Sequence, residues 1–98
     1  MENAINQQIK NELFSSYLYL SMSAYFETEG WEGMAHWMRA QSNEELKHAM
    51  KFYKHITERE GRVELFPLDK PQMEWKSPMD AFKSALEHEK FITKSIYD

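Results

Sequence analysis

The start of the chain carries the strongest constraint on the fold, a long stretch that contains neither glycine nor proline. From Asn3 to about Glu27 neither residue type occurs, and apolar side chains return every three or four positions. That spacing places them along one face of an α-helix. The sequence therefore predicts a long first helix, with apolar positions at Ile5, Ile9, Leu13, Tyr17, Leu20 and Ala24.

Two glycines within five residues, Gly30 and Gly33, follow this stretch and predict a helix stop with a tight reversal. A second stretch without proline then runs from about Glu32 to Glu60 and ends at Gly61. Its seam residues recur at steps of three and four, so they share one helical face. We predict a second long helix, antiparallel to the first, with the seam Met34, Met38, Gln41, Glu45, His48, Phe52 and Ile56.

The segment from Gly61 to Ser77 contains two prolines and no sustained periodicity, which indicates a long crossover connection. Ser77 and Pro78 have the composition of a helix start, because serine caps a helix and proline suits its first position. A third helix is predicted from there, and the sequence stops at Asp98 without a glycine cap, so we expect this helix to be truncated. Its apolar face comprises Phe82, Ala85, Leu86, Ile92 and Ile96.

The composition excludes several classes of site and partner. The 98 residues suffice for one all-α domain, 1–98, and the absence of cysteine excludes disulfides and thiolate metal sites. A net charge of −4 argues against a nucleic-acid partner and favours cations. The N-terminus lacks the pattern of a signal peptide, and no stretch is long and apolar enough to span a bilayer. We expect a cytoplasmic protein with no membrane partner.

Each predicted helix carries an acid on its inward face, where an uncompensated charge is costly. Glu45 and His48 form a Glu-x-x-His pair within the apolar seam of the second helix. Glu12 lies on the partner-facing line of the first helix, and Glu89 lies one turn from apolar residues of the third. Carboxylate and imidazole together suit a metal ion. A surface ion pair or an ordinary core histidine is the alternative interpretation, and it is the one preferred for His36, His55 and His88.

The positions of these residues relative to the turn agree with one shared site. Glu12 lies 30 − 12 = 18 residues before Gly30, and His48 lies 48 − 30 = 18 residues after it. At about 1.5 Å per residue, both are roughly 27 Å from the reversal. An antiparallel hairpin therefore places Glu12 beside Glu45 and His48.

The sequence resembles a prokaryotic non-haem ferritin across essentially its whole length. The resemblance rests on the segments 5–24, 35–38, 44–49, 61–63 and 87–90, in which Glu12, Glu45, His48 and Glu89 occur. It implies that Glu12, Glu45 and His48 are ligands of a first iron, with Glu45 bridging, and that Glu89 is a ligand of a second. It further implies an auxiliary third-iron ligand, Glu44, and a catalytic tyrosine beside the centre, Tyr19.

The resemblance implies a ferroxidase with a di-iron (Fe) centre formed by Glu12, Glu45, His48 and Tyr19, which oxidises Fe²⁺ with O₂ for iron storage or detoxification. The fourth and fifth helices of that family have no counterpart here. Di-iron bundles combine a Glu from each of two helices with Glu-x-x-His from each of the other two. We therefore expect a homo-oligomer, at least a dimer, in which two ferritin-like hairpins complete a four-helix bundle. The alternatives are a non-catalytic helical assembly module and a partner subunit of a separate chain.

Overall fold

The computed structural model describes residues 2–97, and the side chains of residues 3–91. It contains α1 (Glu2–Thr28), α2 (Glu32–Glu58) and α3 (Pro78–Tyr97), with no strand among these residues. The all-α prediction is confirmed. Ile92 and Ile96, which we predicted on the apolar face of α3, lie outside the described side chains. None of the described helices has the length and hydropathy that a membrane span requires.

The reversal between α1 and α2 is stabilised by backbone hydrogen bonds at Gly30. Trp31 N donates to Phe26 O at 2.8 Å, and Gly30 N donates to Glu27 O at 3.1 Å. These two bonds satisfy carbonyl groups at the end of α1. They require that the residue before Trp31 adopts the left-handed conformation. Gly30 supplies it with φ of 80°. The predicted turn is thus confirmed at the predicted residue.

The end of α2 differs from its prediction. The helix ends at Glu58 rather than at Glu60, and Glu60 has a φ of 59°. Gly61 N donates to Ile56 O at 2.9 Å, which closes the same type of turn as at Gly30. The left-handed position is therefore Glu60, one residue before the glycine on which the sequence prediction relied.

Small polar residues join α1 to α2 at close range. Ser42 Oγ donates to the carbonyl of Ser16 at 2.7 Å, and the two hydroxyl oxygens are 2.9 Å apart. Nearer the turn, Ser23 Oγ donates to the carbonyl of Ala35 at 2.7 Å. These bonds satisfy polar groups that the helix contact removes from water. They fix the register of the hairpin from near its middle toward the turn.

Part of the predicted apolar line of α1 faces outward. Tyr17 and Leu20 are 47% and 49% exposed, whereas Tyr19 and Met22 are buried. The inward face of α1 is therefore rotated toward α3, which packs on it. Glu12, which we predicted to face a partner helix, is buried, so that prediction is confirmed.

The crossover between α2 and α3 runs along α1. At its beginning, Asn6 Nδ2 donates to Arg62 O at 3.1 Å and Glu64 N donates to Asn6 Oδ1 at 2.9 Å. Near its end, the Tyr25 hydroxyl donates to Trp75 O at 3.3 Å. The crossover thus follows α1 for about 28 Å. It returns the chain to the Gly30 end, where Ser77 Oγ accepts a hydrogen bond from Asp80 N and caps α3 as predicted.

Two apolar clusters occupy the two ends of the molecule. One lies near the reversal and contains Tyr19, Met22, Tyr25, Phe26, Ala35, Met38, Ala81 and Ala85. The other lies at the far end and contains Ile9, Ala49 and Ile56. The layer between them is polar, and its buried members are Glu12, Ser15, Ser42 and Glu45. The seam of α2 is therefore buried within a single chain at Met38 and Ile56.

Candidate metal centre

Glu12, Glu45 and His48 converge in the polar layer between the apolar clusters. Glu12 is 0% exposed and Glu45 is 3% exposed, while the His48 side chain is 40% exposed. One ligand atom from each residue lies within 4.8 Å of the other two. The sequence prediction that Glu12 stands beside Glu45 and His48 is confirmed.

Three atoms of this cluster are buried without a hydrogen-bond partner among the described residues. They are Glu12 Oε2, Glu45 Oε2 and His48 Nδ1. His48 Nδ1 is 3.6 Å from each of the two carboxylate oxygens, too far for a hydrogen bond. Unpaired buried polar atoms are uncommon in folded proteins and costly. All three are Lewis bases, so a single cation between them would satisfy them together.

The electrostatics of Glu45 reflect its burial. Desolvation is the largest cause that raises the pKa of the Glu45 carboxyl to about 9, followed by its hydrogen bond with Glu12 and the negative charge there. The charges of Glu89 and Glu44 raise this pKa further. Without a cation, Glu45 therefore holds a proton at neutral pH. A metal ion bound at this point replaces that proton and removes the repulsion.

Gln8 orients the Glu12 carboxylate, a role that the sequence analysis missed. Gln8 Nε2 donates to Glu12 Oε1 at 3.3 Å, which leaves Oε2 directed into the cluster. The two residues are four positions apart on α1, so they lie on the same face. The spacing of four positions was the sequence feature from which this contact could have been predicted. Contacts of this kind fix the direction of a metal-binding carboxylate.

Tyr19 and Glu89 form the side of the site that faces α3. The buried Tyr19 hydroxyl donates to Glu89 Oε1 at 2.6 Å. Burial, followed by this hydrogen bond and the Glu89 charge, raises the pKa of Tyr19 well above its ordinary value. Tyr19 therefore remains protonated and acts as a hydrogen-bond donor. Glu89 is half-buried and is not a member of the three-residue cluster.

The remaining candidates differ in their surroundings. Glu44 is exposed, and its carboxylate is 3.5 Å from Lys47 Nζ. His36 is exposed on α2, and His55 Nδ1 is 2.9 Å from a guanidinium nitrogen of Arg59. His88 is part-buried against α1, and burial lowers the pKa of its imidazole. The structure thus brings Glu12, Glu45 and His48 together, places Tyr19 with Glu89 beside them, and leaves Glu44 on the surface.

One side of the cluster opens to solvent through a groove of about 380 Å³. Glu12 and His48 both line it, and His48 is the more exposed of the two. The remaining lining residues are Ile5, Lys51, Phe52 and His55.

The donor set fits a divalent first-row metal. Two carboxylates and one imidazole are ligands that Fe²⁺ accepts, and no thiolate is present to favour softer ions. Each of the three residues contributes one unpaired ligand atom. Three protein ligands with an open side leave positions for water, oxygen or a further carboxylate.

Comparisons with known proteins agree with this interpretation. The Ferritin-like domain family, designated Ferritin, matches residues 2–98. A bacterial non-heme ferritin of Bacteroides fragilis is 44% identical over 96 residues, which are 98% of this chain and 60% of that protein. A bacterial non-heme ferritin of Campylobacter jejuni is 38% identical over 92 residues, which are 94% of this chain and 55% of that protein.

A solved structure gives the same result for the fold. The closed form of the Archaeoglobus fulgidus ferritin, engineered by site-directed mutagenesis, superposes with a TM-score of 0.96 at 48% identity. The match covers 99% of this chain and 59% of that one, so this chain spans about three-fifths of the length of these relatives. On its buried carboxylate and imidazole cluster, its helical architecture and these matches, the chain belongs to the ferritin family.

Proposed function

We propose that this chain binds Fe²⁺ at Glu12, Glu45 and His48 and oxidises it with O₂. The observation that carries the proposal is the set of three convergent, buried and unpaired ligand atoms in the polar layer. Burying such a cluster costs several kcal/mol unless a cation compensates it. Membership of the ferritin family supports iron as that cation.

The protein's part in the reaction is to bind iron and to manage protons. Glu45 releases its proton when Fe²⁺ binds, because the metal takes the place of that proton between the carboxylates. Carboxylates are hard ligands and stabilise Fe³⁺ over Fe²⁺ once the electron has left. In the balanced reaction two Fe²⁺ give one electron each to O₂, which takes up two protons and leaves as H₂O₂.

We infer a di-iron centre in which Glu45 bridges and Glu89 contributes to the second iron. Two observations support this: Glu89 is near enough to raise the pKa of Glu45, and its carboxylate is held by the Tyr19 hydroxyl. Tyr19 then acts by donating a hydrogen bond to a ligand. Glu44 is the auxiliary third ligand in this proposal, and its exposed position on α2 leaves it free to turn away from Lys47.

We further infer that a second copy of the chain covers the open groove above His48. In a two-fold dimer the groove of each copy faces the other, and the combined carboxylates and histidines supply the ligand set of a di-iron helical bundle. Exposed apolar side chains in the crossover and on α3, such as Met73 and Met79, are consistent with further covered surface. Light scattering with and without metal tests this, and a metal-loaded monomer would contradict it.

A second candidate function is that of a helical assembly module without catalysis. The specific observation in its favour is a strongly apolar groove of about 410 Å³ between the reversal and the start of α3. Such a groove suits a partner helix rather than a small polar substrate. Its lining residues are Phe26, Trp31, Met34, Ser77, Pro78, Met79 and Phe82. A separate chain that supplies further helices would occupy it.

One experiment separates the two candidates. Fe²⁺ is added to the aerobic protein, and ferric absorbance is followed against time. Fast oxidation that is lost in Glu45→Ala supports the ferroxidase, whereas rates equal to buffer autoxidation in both proteins support the assembly module. The matched control is Glu58→Ala, because Glu58 is an exposed α2 acid that pairs with Lys54 away from the cluster.

A further inference from the structure

A histidine outside the proposed ligand set connects α3 to α1. His88 Nε2 lies 2.7 Å from Ser15 Oγ, although the two residues are 73 positions apart in sequence. Ser15 is 0% exposed and His88 is partly buried, so the serine end of this contact is shielded from water. The His88 ring also packs against the aromatic rings of Phe14, Tyr19 and Phe91, at centroid distances of 6.0, 5.9 and 5.9 Å.

The direction of this hydrogen bond follows from the other contact of Ser15. Ser15 Oγ is also 2.9 Å from the carbonyl of Asn11, which can only accept a hydrogen bond. A serine hydroxyl has one proton, and only its donation to Asn11 makes both contacts hydrogen bonds. His88 Nε2 therefore carries a proton and donates it to Ser15 Oγ. The serine is a fixed acceptor rather than a freely rotating hydroxyl.

The fixed contact has a consequence for the next residue. Glu89 follows His88 on α3, so anchoring His88 sets both the height and the rotation of Glu89. Tyr19 packs its ring edge-on against His88 and donates its hydroxyl to Glu89 Oε1 at 2.6 Å. The His88 ring thus contacts Tyr19, which donates that bond, and His88 immediately precedes Glu89, which accepts it.

We propose that His88 is a positioning residue, whose Nε2–H bond to Ser15 holds α3 where Glu89 accepts the Tyr19 hydrogen bond and adjoins the Glu12, Glu45 and His48 cluster. Besides the Tyr19–Glu89 bond itself, two further hydrogen bonds of the described residues hold the beginning of α3 and the segment before it. They join Trp75 to Ser84 and to Tyr25. At the height of the cluster, the Ser15–His88 bond therefore joins α3 to α1 beside the Tyr19–Glu89 bond that it is proposed to position.

Four variants test the proposal. Ser15→Ala removes the acceptor, and His88→Phe keeps an aromatic ring but removes the donor. His88→Gln places an amide N–H near the position of Nε2 and serves as the rescue variant. His36→Gln is the matched control, since His36 is exposed on α2 and distant from this contact.

The first measurement uses metal-free protein and ¹⁵N NMR of the histidine rings. We expect the wild-type His88 to show the tautomer protonated at Nε2 and the Tyr19 hydroxyl proton to exchange slowly. We expect the slow Tyr19 proton to be lost in Ser15→Ala and His88→Phe, and retained in His88→Gln and His36→Gln. An Nδ1-protonated His88 in the wild type, or a slow Tyr19 proton in folded Ser15→Ala and His88→Phe, would overturn the proposal.

The second measurement rests on the proposed ferroxidase function and follows the rate of Fe²⁺ oxidation against Fe²⁺ concentration. Loss of a residue that orients a metal ligand typically costs about 10–100-fold in affinity or activity. We expect KM for Fe²⁺ to rise on the order of tenfold in Ser15→Ala and His88→Phe, with His88→Gln close to wild type. Equal KM in all four variants would overturn the positioning role. A wild type without oxidation would contradict the ferroxidase alone, because the NMR result requires no iron.

Discussion

The carboxyl groups of Glu12 on α1 and Glu45 on α2 adjoin in the interior, and His48 Nδ1 is 3.6 Å from one oxygen of each. In metal-free protein, burial first and the adjoining Glu12 second raise the pKa of Glu45 to about 9 from its ordinary value of 4.5. The folded state then retains a proton that the unfolded chain releases between these two values. The raised pKa of Glu45 therefore lowers the free energy of unfolding as the pH rises, whereas an ordinary ion-paired acid raises it.

We predict that the metal-free protein loses stability as the pH rises. The Glu45 contribution is fully present below about pH 4.5 and is lost progressively as the pH approaches 9. The free energy of unfolding should fall by several kcal/mol across that range. Urea unfolding in the presence of a chelator measures it. Glu45→Gln, which cannot ionise, should flatten the profile, whereas the exposed control Glu58→Gln should keep it; an unchanged slope in Glu45→Gln would refute the assignment.

Divalent metal should stabilise the fold through the same three residues. Zn²⁺ serves as a redox-inert probe, and ligand at 100 times its Kd adds about 2.7 kcal/mol to the free energy of unfolding. We expect an upward shift of Tm that a chelator reverses and that His48→Ala removes. His36→Ala is the matched control, as an exposed histidine on the same helix. A shift of equal size in His48→Ala would show that the metal binds elsewhere.

The contact between Glu12 and His48 was predictable because the reversal fixes the register of the hairpin. Gly30 is in the left-handed conformation at the expected position, and both residues are equally distant from it. The buried face of α1 was less predictable. Apolar residues occur nearly all round this helix, so Tyr17 and Leu20 fit a helical period as well as Tyr19 and Met22 do. The packing of α2 and α3 together decides which of them are buried.

The contacts of α3 depend on the path of the crossover, which no local pattern specifies. Periodicity predicts that α3 is a helix and that Ser77 caps it, and both are confirmed. It does not say that α3 packs on α1, or at what height. The pairing of His88 with Ser15 follows from that height, and for this reason the sequence analysis assigned His88 no role.

The hydrogen bonds that hold the crossover to Asn6 should contribute to the stability of the fold and not to metal binding. Asn6 is buried and uses both ends of its amide, toward Arg62 O and Glu64 N. Asn6→Ala leaves these two backbone groups without the side chain that pairs with them, at a cost of about 1–3 kcal/mol. Chemical unfolding measures the loss. The affinity for Zn²⁺ should stay within twofold, because Asn6 lies nearly two helical turns from Glu12, and a tenfold loss of affinity would contradict this separation of roles.

The two helix ends provide a paired test of backbone strain. Glu60 has a φ of 59° and Gly30 a φ of 80°, each in the left-handed region that side chains with a Cβ disfavour. Replacement of Glu60 by glycine should therefore raise the free energy of unfolding by about 1 kcal/mol, and Gly30→Ala should lower it by a similar amount. No atom lies within 4 Å of a Cβ added at Gly30, so the cost there comes from the backbone and not from a clash. Urea unfolding of both variants at one pH measures the two effects. Stabilisation by Gly30→Ala, or destabilisation by Glu60→Gly, would show that these helix ends adopt other conformations in solution.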